Sequence, residues 1–317
     1  MGSFLQFSEL IWYTVPYLVL LTITFVSVRF MATYMTKALE FFLNQPVKVN
    51  PFVNGVRYPV SYWTEKGGRP YQEDRHHELR GRGAADSSLY GVFDGHGGSR
   101  AAQYTKDYLL KSIVTDVEFE ESPSKAMFRS FFKVDSEFSA KARLQMLTDG
   151  TTSTVAIIHD GRIFVGNAGD SRAVLVQKGG KVMPMSIDHR PDRTDEAERI
   201  RKLGGSVVHW GRWRVEGILA VSRSIGDVTL QPYITCEPEI MEKQIENEDE
   251  YLVLASDGVF DTMTNEDVAK IVLRNGKDFL NVSKRVCTEA IIMGSTDNVT
   301  ALVIDLKQRL RTVEQKR

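Results

Sequence analysis

Residues 151–185, "TTSTVAIIHDGRIFVGNAGDSRAVLVQKGGKVMPM", are β-rich runs broken at Asp160-Gly161, Ala168-Gly169-Asp170 and Gly179-Gly180. Asp-Gly and Gly-Gly pairs close hairpins because they tolerate the left-handed backbone that a tight reversal requires. The stretch therefore predicts a β-meander. Upstream, residues 99–113 and 122–146 carry apolar positions near a 3.6 period and predict two helices. Downstream, "TDEAERIRKLGG" predicts a helix with Thr194 as N-cap, acids in its first turn, bases in its last and Gly204 as C-cap. "TNEDVAKIVL" predicts a capped helix, Asp278 to Ile292 another, and "NVTALVIDL" a last strand. Hairpin-connected strands with helices grouped in runs indicate an α+β layered domain and not a βαβ parallel sheet.

The chain has 317 residues, 42% hydrophobic and 26% charged, which suits one large globular domain or two small ones and a sizeable core. Its 40 Lys+Arg against 41 Asp+Glu give a net charge of -1 and no basis for a nucleic-acid surface. Cys236 and Cys287 are far apart and in no metal-binding or redox spacing, which fits a reducing compartment.

The first fifty residues differ in kind. Leu10 to Val28 is a run of 19 residues without a formal charge, close to the roughly 20 that a bilayer-spanning helix needs. Trp12 and Tyr13 suit the interfacial belt, and Pro16 falls within the first two turns. A buried helix or a signal peptide is the alternative, but the leader has no basic n-region and no clear cleavage site. Arg29, Lys37 and Lys48 all follow the span, which places the C-terminal bulk in the cytosol. The expected organisation is an anchor and linker over 1–53, a catalytic domain over 54–307 and a basic tail over 308–317. The endoplasmic reticulum is the expected membrane and a mitochondrial membrane the alternative, since no Arg-rich transit stretch is present.

Carboxylates recur at strand ends. "YGVFDG" ends at Asp94, "YLVLASDG" at Asp257, "GNAGDSR" sets Asp170 in a turn, "GSTDNVT" sets Asp297 before the last strand, and "GGRPYQED" adds Glu73 and Asp74. If these ends meet, the repulsion among five or six carboxylates calls for bound cations. All-oxygen donors favour Mg2+ or Mn2+ over Zn2+. Two such ions about 4 Å apart would activate a water for in-line attack on phosphorus. The alternative for each aspartate singly is a solvated turn residue.

These segments, with "DGTTSTVAII", "DHRPDRTDEAERIRKLGG" and "LAVSRSIGD", resemble the ordered motifs of the metal-dependent protein phosphatases, the protein phosphatase 2C-like family, over about residues 57–306. The resemblance implies a four-layer αββα sandwich of two antiparallel sheets, with a two-metal site between them at one end. It implies a serine/threonine phosphatase acting on phosphorylated proteins through a hydroxide that bridges two Mg2+ or Mn2+ ions. Asp94 would bridge both ions, joined by the Gly95 carbonyl. Glu73 would serve one ion, Asp257 and Asp297 the other, and Asp74 would act through water. Asp170, with Asp257, matches a third, looser site, and Asp261 lies near the metals. Arg69 falls where the family holds the substrate phosphate, which a guanidinium can grip at two oxygens. His96 would protonate the leaving alkoxide. The loop "HWGRWR" matches a variable region beside the active site, where it would contact substrate.

Two other readings stand beside this one: a catalytically silent phosphatase fold that serves as a tethered binding module, and a phosphatase of small molecules or lipids. Glu73, Asp94, His96, Asp257 and Asp297 are all present, which counts against the first. "HRPD" at His189 has no nucleotide loop to accompany it. A glycan at the Asn298 sequon would sit beside Asp297, which favours a cytosolic domain.

Overall fold

The computed structural model describes residues 56–80, 87–307 and 310–311. These belong to one unit of the chain, Asn50–Arg317. The predicted membrane span, 10–28, lies outside the described residues. Among the described residues no helix is long and apolar enough to cross a membrane.

The elements run β1 (Val56–Arg57), β2 (Val60–Glu65), β3 (Arg75–Arg80), β4 (Ser88–Phe93), β5 (Gly95–His96), α1 (Arg100–Val114), α2 (Pro123–Gln145), β6 (Gly150–Thr151), β7 (Ser153–His159), β8 (Arg162–Ala168), β9 (Arg172–Gln177) and β10 (Val182–Pro184). There follow α3 (Thr194–Lys202), β11 (Val207–Trp210), β12 (Arg212–Val215), β13 (Ile225–Gly226), β14 (Glu239–Gln244), β15 (Asp249–Ala255), α4 (Asp257–Phe260), α5 (Asn265–Asn275), α6 (Val282–Ile292), β16 (Val299–Asp305) and β17 (Leu310–Arg311).

Two five-stranded sheets, ordered β10-β9-β15-β16-β2 and β14-β8-β7-β4-β3, are antiparallel throughout. Side chains alternate across a strand, and here both faces are covered. In β4, Tyr90 and Val92 join the core between the sheets, while Leu89 and Phe93 pack with α1 and α2. In β15, Leu252 and Leu254 face the inter-sheet core, while Tyr251, Val253 and Ala255 pack with α5 and α6. The result is the αββα sandwich. Double burial also explains why these strands read as unbroken apolar runs and not as alternating ones.

Some local features depart from the sequence reading. Thr194 is the first residue of α3, and Arg193 occupies the N-cap with no side-chain cap bond. Arg193 is drawn there by its guanidinium, 2.8 Å from Asp195 and 2.9 Å from Glu239. Leu203 is the C-cap of α3, and Gly204, expected at that position, follows it at φ +88°, where the left-handed turn needs a glycine. α5 begins with a capping box, Thr264 and Asp267 each binding the other's backbone. Val56 and Arg57 pair with Leu310 and Arg311 in a two-stranded ribbon, so residues of the expected tail meet the domain's start.

Candidate active site

β4 carries Asp94 to one end of the sandwich, and β15 and β16 bring Asp257 and Asp297 to the same end. Asp94 and Asp257 lie close enough there for each to act on the other's charge. Gly95 follows on β5 because a Cβ at this position would stand 2.7 Å from the Glu73 carbonyl oxygen. The Glu73 N–H donates to Asn298 Oδ1 at 2.7 Å, and Asn298 Nδ2 donates to the carbonyls of Lys66 and Tyr71 at 2.8 and 2.9 Å. Asn298 thus stitches the loop bearing Arg69 and Glu73 to the start of β16. It is buried, so its sequon is closed to a glycan.

Asp74 is buried just before β3. Its Oδ2 accepts from Ser256 Oγ at 2.9 Å and from Thr300 Oγ1 at 2.7 Å. Its Oδ1 is buried without a partner. Burial pushes the carboxyl up to about 7 against the pull of those two hydroxyls. Burial, with Asp261 and Asp297 beside it, raises Asp257 to about 6. Asp94 lies well above the ordinary carboxylate range, through burial and then the charges of Asp74, Asp257, Asp170 and Asp297. Asp170 is raised by burial and by Asp257. The structure therefore gathers Asp74, Asp94, Asp170, Asp257 and Asp297 into one mutually repelling group.

Among the described residues no three of these side chains stand as a finished cation cage. Guanidinium groups offset part of the charge: Arg69 Nη2 donates to Asp297 Oδ2 at 2.6 Å, and Arg212 Nη1 lies 3.8 Å from Asp257 Oδ2. The partnerless Asp74 oxygen and the raised pKa of Asp94 and Asp257 nonetheless fit a site for hard divalent ions, which oxygen donors of this kind prefer.

Asp261 holds two arginines, Arg190 at 2.7 Å and Arg212 at 2.6 Å. Arg212 stands at the tip of the β11–β12 hairpin, which brings the "HWGRWR" segment over the site. A cavity of about 340 Å³ beneath it is lined by Asp170, Arg190, His209, Arg212, Trp213 and Asp261.

His96 Nε2 lies 2.7 Å from Oδ2 of Asp227. Burial would lower this imidazole, but the Asp227 carboxylate outweighs it and the group is raised. Asp149, fully buried, accepts from the Arg100 backbone N–H at 2.9 Å and pairs with its guanidinium, and so caps α1 in place of Ser99. Asp227 and Asp149 carry no role in the sequence reading, and Asn298 only that of a sequon, although each lies inside a quoted motif.

A family model described as Protein phosphatase 2C matches residues 63–299. "Probable protein phosphatase 2C 69" of Arabidopsis thaliana is 38% identical over 278 residues, covering 86% of this chain and 78% of its own. "Probable protein phosphatase 2C member 13, mitochondrial" of Oryza sativa subsp. japonica is 42% identical over 218 residues, 68% of this chain and 59% of its own. Among solved structures, a C. elegans sex-determining protein superposes with TM-score 0.75 at 27% identity, over 87% of this chain and 72% of the other.

Proposed function

Because this chain belongs to the protein phosphatase 2C family of metal-dependent serine/threonine phosphatases, we propose that the carboxylates around Asp94 hold two Mg2+ or Mn2+ ions. Asp94 would lie between them, with the Gly95 carbonyl and Glu73 on one side, Asp257 and Asp297 on the other, and Asp74 behind, oriented by Ser256 and Thr300. Asp170 and Asp257 border a third, looser position. When bound, the ions supply Lewis acidity that lowers the pKa of a water and polarises a phosphoryl oxygen.

The chain's own groups do the rest. Arg69 is the phosphate grip, since its guanidinium is anchored at the site edge by Asp297 and more than half exposed. His96 gives a proton to the serine or threonine oxygen as it leaves, because an expelled alkoxide is strongly basic. The observation that carries this reading is Asp94, whose pKa is raised by burial and then by the charges of four other carboxylates gathered around it. Elemental analysis of the purified protein after Mn2+ loading tests it: two ions per chain are expected, and Asp94→Asn should retain at most one. Equal metal content in both would refute it.

We also read residues 10–28 as a membrane span, with the catalytic unit, 54–307, in the cytosol. The uncharged run and the basic residues after it support this reading. The endoplasmic reticulum is the membrane we assign, and a mitochondrial membrane is the alternative outcome. Alkaline extraction and microscopy of the tagged full chain test both points: release by carbonate would refute the span.

A further inference from the structure

We propose that Asp227 is the positioning residue for His96, holding its Nε2–H so that Nδ1 serves the leaving oxygen; this rests on the reading of His96 as the proton donor. A three-stranded ribbon, β13-β6-β5, builds the pair. Gly226 faces Gly150, and Gly150 faces His96. Asp227, one residue beyond Gly226, thus meets His96 across a residue with no side chain. A Cβ on Gly150 would collide with both Asp227 Oδ2 and His96 Nε2. The glycine of "DGTTSTVAII" is therefore the gap through which an aspartate 131 positions from His96 reaches the ring.

Asp227 is fixed from several directions. It is buried, its N–H donates to the Asp149 carbonyl at 3.1 Å, and Oδ2 also accepts from the Ser224 hydroxyl. Its neighbour Gly226 donates to Asp135 Oδ1 at 2.8 Å. Its φ of +46° is a left-handed conformation that a non-glycine residue holds only when its surroundings impose it. A fixed carboxylate on one ring nitrogen sets both tautomer and ring orientation.

In the step itself, water oxygen bonds to phosphorus as the bond from phosphorus to the substrate oxygen breaks, and the electron pair goes to that oxygen. The oxygen takes the Nδ1 proton and leaves as the alcohol. The ring remains neutral with Nε2–H on Asp227. The proton lost by the attacking water balances the one delivered, and His96 is reprotonated from solvent.

The test compares the full chain with Asp227→Asn and His96→Ala on a phosphothreonine peptide and on p-nitrophenyl phosphate, whose weakly basic leaving group needs no acid. General acid catalysis contributes about 10²–10⁴-fold. Both variants should lose at least about tenfold more kcat on the peptide than on the aryl phosphate, with Mn2+ content unchanged. Equal losses on the two substrates for Asp227→Asn, with selective loss for His96→Ala, would overturn the role of Asp227 alone. Equal losses for His96→Ala would overturn the reading beneath it. Independently of any variant's folding, imidazole 15N shifts of the wild-type chain should show neutral His96 protonated at Nε2, and protonation at Nδ1 would overturn the proposal.

Discussion

Arg69 Nη2 donates to Oδ2 of Asp297 at 2.6 Å, tying the loop after Gly67-Gly68 to the carboxylate that opens β16. The arginine is more than half exposed, so the pair contributes at most about 1 kcal/mol to folding. Its value lies in placing a fork of donors beside the site. Arg69→Ala should lower kcat/KM on a phosphopeptide by roughly 10²-fold, since charge-assisted bonds to phosphate are strong. Its unfolding midpoint should barely move. Steady-state kinetics with a thermal melt check this, and a large melting shift would make Arg69 a structural residue instead.

Metal affinity should rise steeply with pH. With Asp74 at about 7, Asp257 at about 6 and Asp94 raised by burial and its carboxylate neighbours, protons occupy the ligand oxygens in mild acid. These folded-state values lie above the unfolded ones, so in the absence of metal the cluster's contribution to stability falls as pH rises from about 4 through about 7. Divalent ions should reverse that penalty, because they bind the deprotonated form. The increase in melting temperature on adding Mn2+ should therefore be small at pH 5 and large at pH 8. An equal increase at both would contradict the protonated cluster.

Glu196 should prove a stability residue. Burial would raise its pKa, but Arg223 Nη2 at 2.7 Å and Arg199 Nη2 at 3.0 Å bring it down to about 2. Glu196→Gln removes the buried charge that both guanidiniums face and should cost about 3 kcal/mol at neutral pH. A depressed folded-state pKa gives stability that is present above the unfolded value and lost as pH falls toward 2. The gap between wild type and variant in urea unfolding should thus narrow between pH 7 and pH 3.

The Thr264 cap is a contrasting case. Thr264→Ala removes the side-chain partner of the Asp267 N–H, and should cost about 1 kcal/mol while leaving kcat unchanged. Chemical denaturation and a phosphopeptide assay check both halves.

The sequence made the strands of the sandwich and the strand-end carboxylates legible, because apolar runs and Asp-Gly turns are local signals. It could not show that β16 inserts between β15 and β2, a pairing across more than 200 residues that only the inter-sheet core selects. Glu196 reads locally as a first-turn acid on α3, yet its partner Arg223 comes from a distant loop. Asp227 likewise looks like the end of a turn motif until Gly150 opens the path to His96. Asn298 looks like a sequon until its amide is found bracing the loop that carries Glu73. Thr194 resembles a cap in sequence, but the pull of Asp195 and Glu239 on Arg193 shifts the helix start by one residue.

The most direct test is phosphate release from a phosphothreonine peptide by the full chain, with Mn2+ or with a chelator, alongside Asp94→Asn. Activity should require the metal and fall by roughly 10³-fold or more in the variant, since Asp94 is the central carboxylate of the group. Release that survives the chelator, or an Asp94→Asn protein as active as wild type, would contradict it.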